Sequence, residues 1–148
     1  MKTLTIELVK GYLGTDLQIG RMTYDDIYKR VEYKLNGKNI DDVIQYKNLK
    51  PILYPLSTLT KFREDLGFVP IVEISGLRCL KGDISFGYEN KMFWVKIRLP
   101  KSNEFVCKTF PSDANSMEYW IIQKLYEWHF DIHGLIEQGL AIDKSKLK

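Results

Sequence analysis

The chain has 148 residues, 45% of them hydrophobic and 13% aromatic, and a formal net charge of +3. That length supports the core of one domain without staples, so a single domain over residues 1–148 is expected. No run approaches the roughly 18 apolar residues of a membrane span, and the start, MKTLTIELVKGYLG, lacks an unbroken signal-peptide core. A cytoplasmic protein that engages no membrane is therefore expected. Cys79 and Cys107 stand alone and far apart, which in a reducing compartment reads as two buried thiols.

Residues 3–13 suit either a short helix or a strand. Residues 17–24 read as a strand, and Asp25-Asp26 as a turn. From Tyr28 to Leu35 apolar and charged residues alternate, and Asn36-Gly37 follows, the pair that best tolerates the positive φ of a type I′ hairpin turn. A return strand through Ile40 and Val43 completes an expected N-terminal hairpin. Pro51, Pro55 and Pro70 then interrupt regular structure. A short helix within residues 56–65 has Ser57 as its cap candidate, and residues 68–74 form either a helix or a strand.

The clearest β pattern comes next. Ile84, Phe86 and Tyr88 alternate, Glu89-Asn90-Lys91 turns, and Phe93, Val95, Ile97 and Leu99 share a face opposite Trp94, Lys96 and Arg98. After Pro100-Lys101-Ser102-Asn103, residues 104–110 make a third strand of an antiparallel meander. From Ser112 to Ile142 the pattern predicts one long helix, apolar almost all round, with Gln123, Glu127 and Asp131 as its wet line, and with Gly134 as the place for a kink or break near residues 131–134. Gly139 would end it in the left-handed conformation, with Leu135 and Leu140 as the accompanying apolar pair. The expected fold is α+β: an antiparallel β-sheet, from the N-terminal hairpin and the three-stranded meander, packed against a long C-terminal helix.

Three segments carry a family resemblance: LKPILYPLSTLTK (49–61), GFVPI (67–71) and KLYEWHFDIHGLIEQGLAID (124–143). They resemble a family of small uncharacterised proteins of Bacteroidetes and of their phages and prophages, with a KPILRPLSDL-like segment, an FVPI-like segment and an EWHFDxxGLIExGLAID ending. Tyr54 stands where that pattern has Arg, and Ser57-Thr58 where it has Ser-Asp. The resemblance implies a small cytoplasmic protein of mobile-element origin and no activity, cofactor or catalytic residue.

The site candidates are few. His129 and His133, four apart on one expected helical face, have the spacing of two zinc ligands, but Phe130 occupies the position of a catalytic Glu. Asp83 with Glu89 and Lys91 has the residue types of a metal-dependent nuclease set, on what reads as a hairpin tip. Residues 81–110 hold six basic against three acidic side chains, the whole of the net excess. Trp94, Lys96, Arg98 and Lys108, interleaved with Val106 and Phe110, form an expected outward sheet face suited to stacking bases and pairing phosphates. The bland counterpart is a solvated face on which basic stems cover apolar neighbours. Trp120, Tyr126 and Trp128 are the expected contact residues of the long helix, for a protein partner or a homodimer. The leading reading is a non-enzymatic protein acting through protein contacts, with nucleic-acid binding as the alternative, a metal-dependent enzyme third, and no cofactor.

Overall fold

The computed structural model describes residues 4–12, 15, 18–22, 28–34 and 49–146. In chain order the elements are α1 (Ile6–Val9), β1 (Gln18–Met22), β2 (Tyr28–Lys34), β3 (Leu49–Leu53), α2 (Pro70–Ser75), β4 (Asp83–Glu89), β5 (Met92–Arg98), β6 (Phe105–Pro111), α3 (Tyr119–Glu127) and β7 (Ile142–Asp143). The class is α+β, as expected. Residue contacts divide the chain into two compact units, Met1–Leu56 with Ile122–Lys148, and Ser57–Ile121. Among the described residues no helix is long and apolar enough to cross a membrane.

The first unit holds a four-stranded sheet in the order β2-β1-β3-β7. β1 is antiparallel to both β2 and β3, whereas β7 joins β3 in parallel through Ile52↔Ile142 and Leu53↔Asp143. An N-terminal hairpin therefore exists, but β2 pairs with the strand before it. The Asp25-Asp26 turn, the Asn36-Gly37 turn and the return strand lie outside the described residues. Residues 6–12 resolve as a helical turn, α1, running into a 3-10 turn (Lys10–Tyr12) that sends Val9 and Tyr12 into a core with Ile19, Leu53 and Leu135. Burial of these apolar side chains is what holds the small sheet. The Tyr12 hydroxyl donates to the Phe130 carbonyl and accepts from the Ile132 N–H at 3.4 Å. Burial pushes this phenol far above its ordinary pKa, so it stays a neutral donor.

The long C-terminal helix is not present. α3 has nine residues and ends at Glu127. It is also not apolar all round: Tyr119, Trp120, Gln123, Lys124 and Glu127 are exposed. The reason is local. His129 adopts φ +63°, the Phe130 N–H bonds the Leu125 carbonyl at 2.8 Å, and the His129 N–H bonds that of Tyr126 at 3.0 Å. This is a Schellman ending with histidine in the place usually held by glycine. The chain leaves the helix because Phe130 bridges β3's extension. The Tyr54 N–H donates to the His129 carbonyl and the Asp131 N–H to the Tyr54 carbonyl, both at 2.8 Å.

Ten residues on, the same device recurs. Gly139 has φ +74°, its N–H bonds the Ile136 carbonyl at 3.1 Å, and the Leu140 N–H bonds the Leu135 carbonyl at 2.8 Å. The Gly139 ending and its Leu135–Leu140 pairing are thus as expected, although they close one isolated turn. Asp131, expected on the wet line, is buried, and its carboxylate accepts from the N–H groups of Leu135 and Ile136 at 2.8 and 2.9 Å. Gly139→Ala should cost about 1 kcal/mol in denaturant unfolding. A Cβ there meets no atom within 4 Å, so the cost is that of the left-handed backbone alone.

The second unit is the expected meander, in the order β4-β5-β6. β4 and β5 join through Asn90-Lys91, both at positive φ, as a two-residue type I′ turn demands. Phe93, Val95 and Ile97 on the central strand are buried. Their cover includes α2, which packs on β5. Pro70 opens α2 and Gly76, at φ +70°, closes it with its N–H on the Glu73 carbonyl, the usual asymmetry of helix ends. Residues 68–74, readable either way in sequence, are therefore mostly helical, and the short helix expected within residues 56–65 is a 3-10 turn (Leu56–Thr60). Arg63 is buried and holds Asp65 through Nε and Nη2, at 3.0 and 2.6 Å.

Candidate functional site

The three resemblance motifs turn out to be construction elements. Residues 49–54 supply β3 and the Tyr54 bridge, residues 129–131 supply its partner, and Ile142–Asp143 is the parallel strand beside it. Leu53, Phe130 and Leu135 are fully buried. The first and third motifs meet in one joint of the first unit, and the FVPI segment opens α2 in the second.

The metal reading loses its premise. His129 is the left-handed residue that ends α3, and His133 lies in a non-helical bend, so the pair does not share a helical face. His133 Nε2 is instead 2.8 Å from the Tyr126 hydroxyl. Among the described residues no three His, Cys, Asp or Glu side chains gather in a metal-binding group. Asn90 and Lys91 form the tip of the β4–β5 turn beside Glu89, and Asp83 lies at the far end of β4, paired with Arg98. Cys79 and Cys107 are exposed thiols rather than buried ones.

The expected outward face is only partly assembled. β5 and β6 pair Trp94↔Thr109, Val95↔Lys108, Lys96↔Cys107 and Arg98↔Phe105. Directly paired residues share a face, so Lys108, Val106 and Phe110 lie with Val95 and Ile97, opposite Trp94, Lys96 and Arg98. On the open face Asp83 and Glu89 stand against Lys96 and Arg98, which balances the charge. Arg98 bonds Asp83 at 2.8 Å, and Lys96 Nζ sits 5.2 Å from the centre of the Phe105 ring. The Trp94 indole lies across Gly87, where a Cβ would come within 2.8 Å of it. A phosphate backbone would find as many anions as cations among the strand residues of this face.

The three expected helix contact residues also separate. Trp128 is buried, with Lys124 Nζ 6.0 Å from its ring, and Tyr126 is half-buried, edge-on to Tyr12 at 4.8 Å. Trp120 remains 46% exposed and Tyr119 74%.

Trp120 opens onto a cleft of about 570 Å³, wholly within the second unit. One wall is the end of α2 (residues 74–76), another is the C-terminal half of β6 (residues 108–111), and the third runs over residues 116–121. Phe110, Pro111, Ile74 and Trp120 give it apolar surface, and Lys108 and Glu118 bring opposite charges to it. Trp120 is held by its indole N–H, which donates to Glu118 Oε2 at 2.6 Å. β6 is an edge strand: it pairs with β5 on one side and, among the described residues, with no strand on the other. None of its seven residues is buried. Lys10, held up by Glu7, and Tyr12 and Tyr126, both raised by burial, have displaced pKa values and belong to the first unit. The cleft was missed in sequence because it needs α2 beside β6. The Pro70 and Gly76 pair was the available sign of that helix.

No protein-family model, curated protein or solved structure matches the chain.

Proposed function

We propose that this chain is a non-enzymatic binding protein that acts through protein contacts made by the β6 edge and the cleft beside it. The observation that carries this reading is Trp120, a half-exposed indole fixed by Glu118 at the mouth of a cleft with both apolar and charged lining, next to a strand that among the described residues has a free edge. Tryptophan in a water-excluding pocket is the commonest anchor of a protein interface. A free strand edge offers backbone donors and acceptors to an extended segment, with neighbouring pockets taking its side chains. The first and third motifs serve the core joint, and the FVPI segment opens the helix whose end walls the cleft. The phage or prophage setting rests on the motif resemblance. Nucleic-acid binding is the weaker reading, because Lys108 is turned away from Trp94 and the remaining open face is charge-balanced.

A displayed random-peptide library tests the reading. Selected peptides should compete with one another, and Trp120→Ala should weaken them about tenfold or more, the loss expected of an anchor. The same change should leave unfolding stability within about 0.5 kcal/mol, as is usual at an exposed position. Affinities untouched by Trp120→Ala would refute it.

A further inference from the structure

We propose that one of these contacts is with a second copy of the chain. The free edge of β6 takes the partner's β6 antiparallel over residues 105–109, joining two meanders into one six-stranded sheet. This inference rests on the protein-contact reading and names the occupant of the edge. Two-fold pairing about an axis perpendicular to the sheet keeps each face continuous, so facing residues must lie on the same face, and the register must be centred on a residue. Phe105, Cys107 and Thr109 lie on the open face, and Val106 and Lys108 on the cleft face.

The sequence of the strand selects among the possible centres. A register centred on Lys108 sets two ammonium groups directly against each other, and it brings Pro111, which has no N–H, into the ladder. One centred on Val106 leaves only residues 105–107 within the strand. One centred on Cys107 pairs five residues per copy, sets Lys108 opposite the partner's Val106, and leaves Pro111 outside. The two Lys108 side chains are then diagonal across the axis, and the partner's Glu104 lies equally near each on its other side. That opposite charge, repeated by symmetry, is the complementarity that favours a second copy over an unrelated strand. Phe105, 60% exposed, gains cover beside the partner's Thr109.

In this arrangement Cys107 faces the partner's Cys107 across neighbouring strands, with Cα atoms about 4.5–5.5 Å apart, within disulfide reach. The test is sedimentation of the reduced chain from nanomolar to high micromolar concentration, with mild oxidation by diamide, which takes up the two thiol protons and two electrons. A reversible dimer is expected. Oxidation should link it covalently in wild type and in Cys79→Ser, but not in Cys107→Ser. Val106→Lys, which places lysine against the partner's Lys108 twice, should weaken the dimer about tenfold or more while the circular dichroism is retained. A chain that stays monomeric throughout, or a dimer insensitive to both Cys107→Ser and Val106→Lys, would overturn the proposal. If peptide binding in that case still depends on Trp120, the dimer alone fails. If it does not, the contact reading fails with it.

Discussion

Phe130→Ala is expected to cost about 3–5 kcal/mol, the range for deleting a fully buried aromatic ring. The residue does three jobs. Its side chain is fully buried, with its ring centre 6.0 Å from that of Tyr54. Its N–H closes the end of α3 on Leu125, and its carbonyl accepts the hydrogen bond of the buried Tyr12 hydroxyl. The backbone roles survive truncation only if the segment stays in place, and the ring is what holds it there. Denaturant unfolding followed by circular dichroism checks the value. A loss under about 1 kcal/mol would mean that the joint between β3 and residues 129–131 is not a principal support of the first unit.

Asp131→Ala should cost about 2–4 kcal/mol. The buried carboxylate is the acceptor for two backbone N–H groups, those of the buried Leu135 and the half-buried Ile136. Removing it strands both donors, and each buried donor left without a partner costs about 1–3 kcal/mol. Asp131→Asn keeps one carbonyl acceptor and should recover about half of the loss. Equal losses for the two variants would show that the carboxylate does not act through these bonds.

These two positions also show why the C-terminal third was misread. Leu125, Trp128, Ile132 and Leu135 recur at helical steps, and all four are buried. Their burial comes from a helix end, a bridge to Tyr54 and a separate turn, not from one continuous helix. A break was readable near residues 131–134 from Gly134, but the helix ends earlier, at a left-handed residue that is His129 and not glycine. The glycine that performs the same role ten residues later was readable. Period alone reports burial, and the geometry that produces burial needs the caps as well.

The meander was legible because alternation and turn residues agreed. Its second turn also fixes the register of β6 on β5. Leu99 and Glu104 pair across Pro100-Lys101-Ser102-Asn103, and counting back from them puts Lys108 opposite Val95. Alternation along each strand gives the faces, but only the loop gives the register between strands. Without it Lys108 was grouped with Trp94, and the face looked more basic than it is. The cleft was harder to foresee. Trp120 was singled out as a contact residue, but its setting depends on the packing of α2 and on the course of residues 112–118. Neither follows from local pattern.

Two kinds of residue differ in role under the proposal: those of the first and third motifs, which build the core joint, and those around β6 and Trp120, the proposed contact surface. Amide chemical shifts of the isotope-labelled protein, followed as a selected peptide is titrated in, test that separation most directly. The account predicts that the perturbed amides cluster at residues 105–111 and 116–121, with Leu53, Phe130 and Leu135 unmoved. Perturbations centred on His129 and His133, or on the open face of Trp94, Lys96 and Arg98 with residues 116–121 silent, would contradict it.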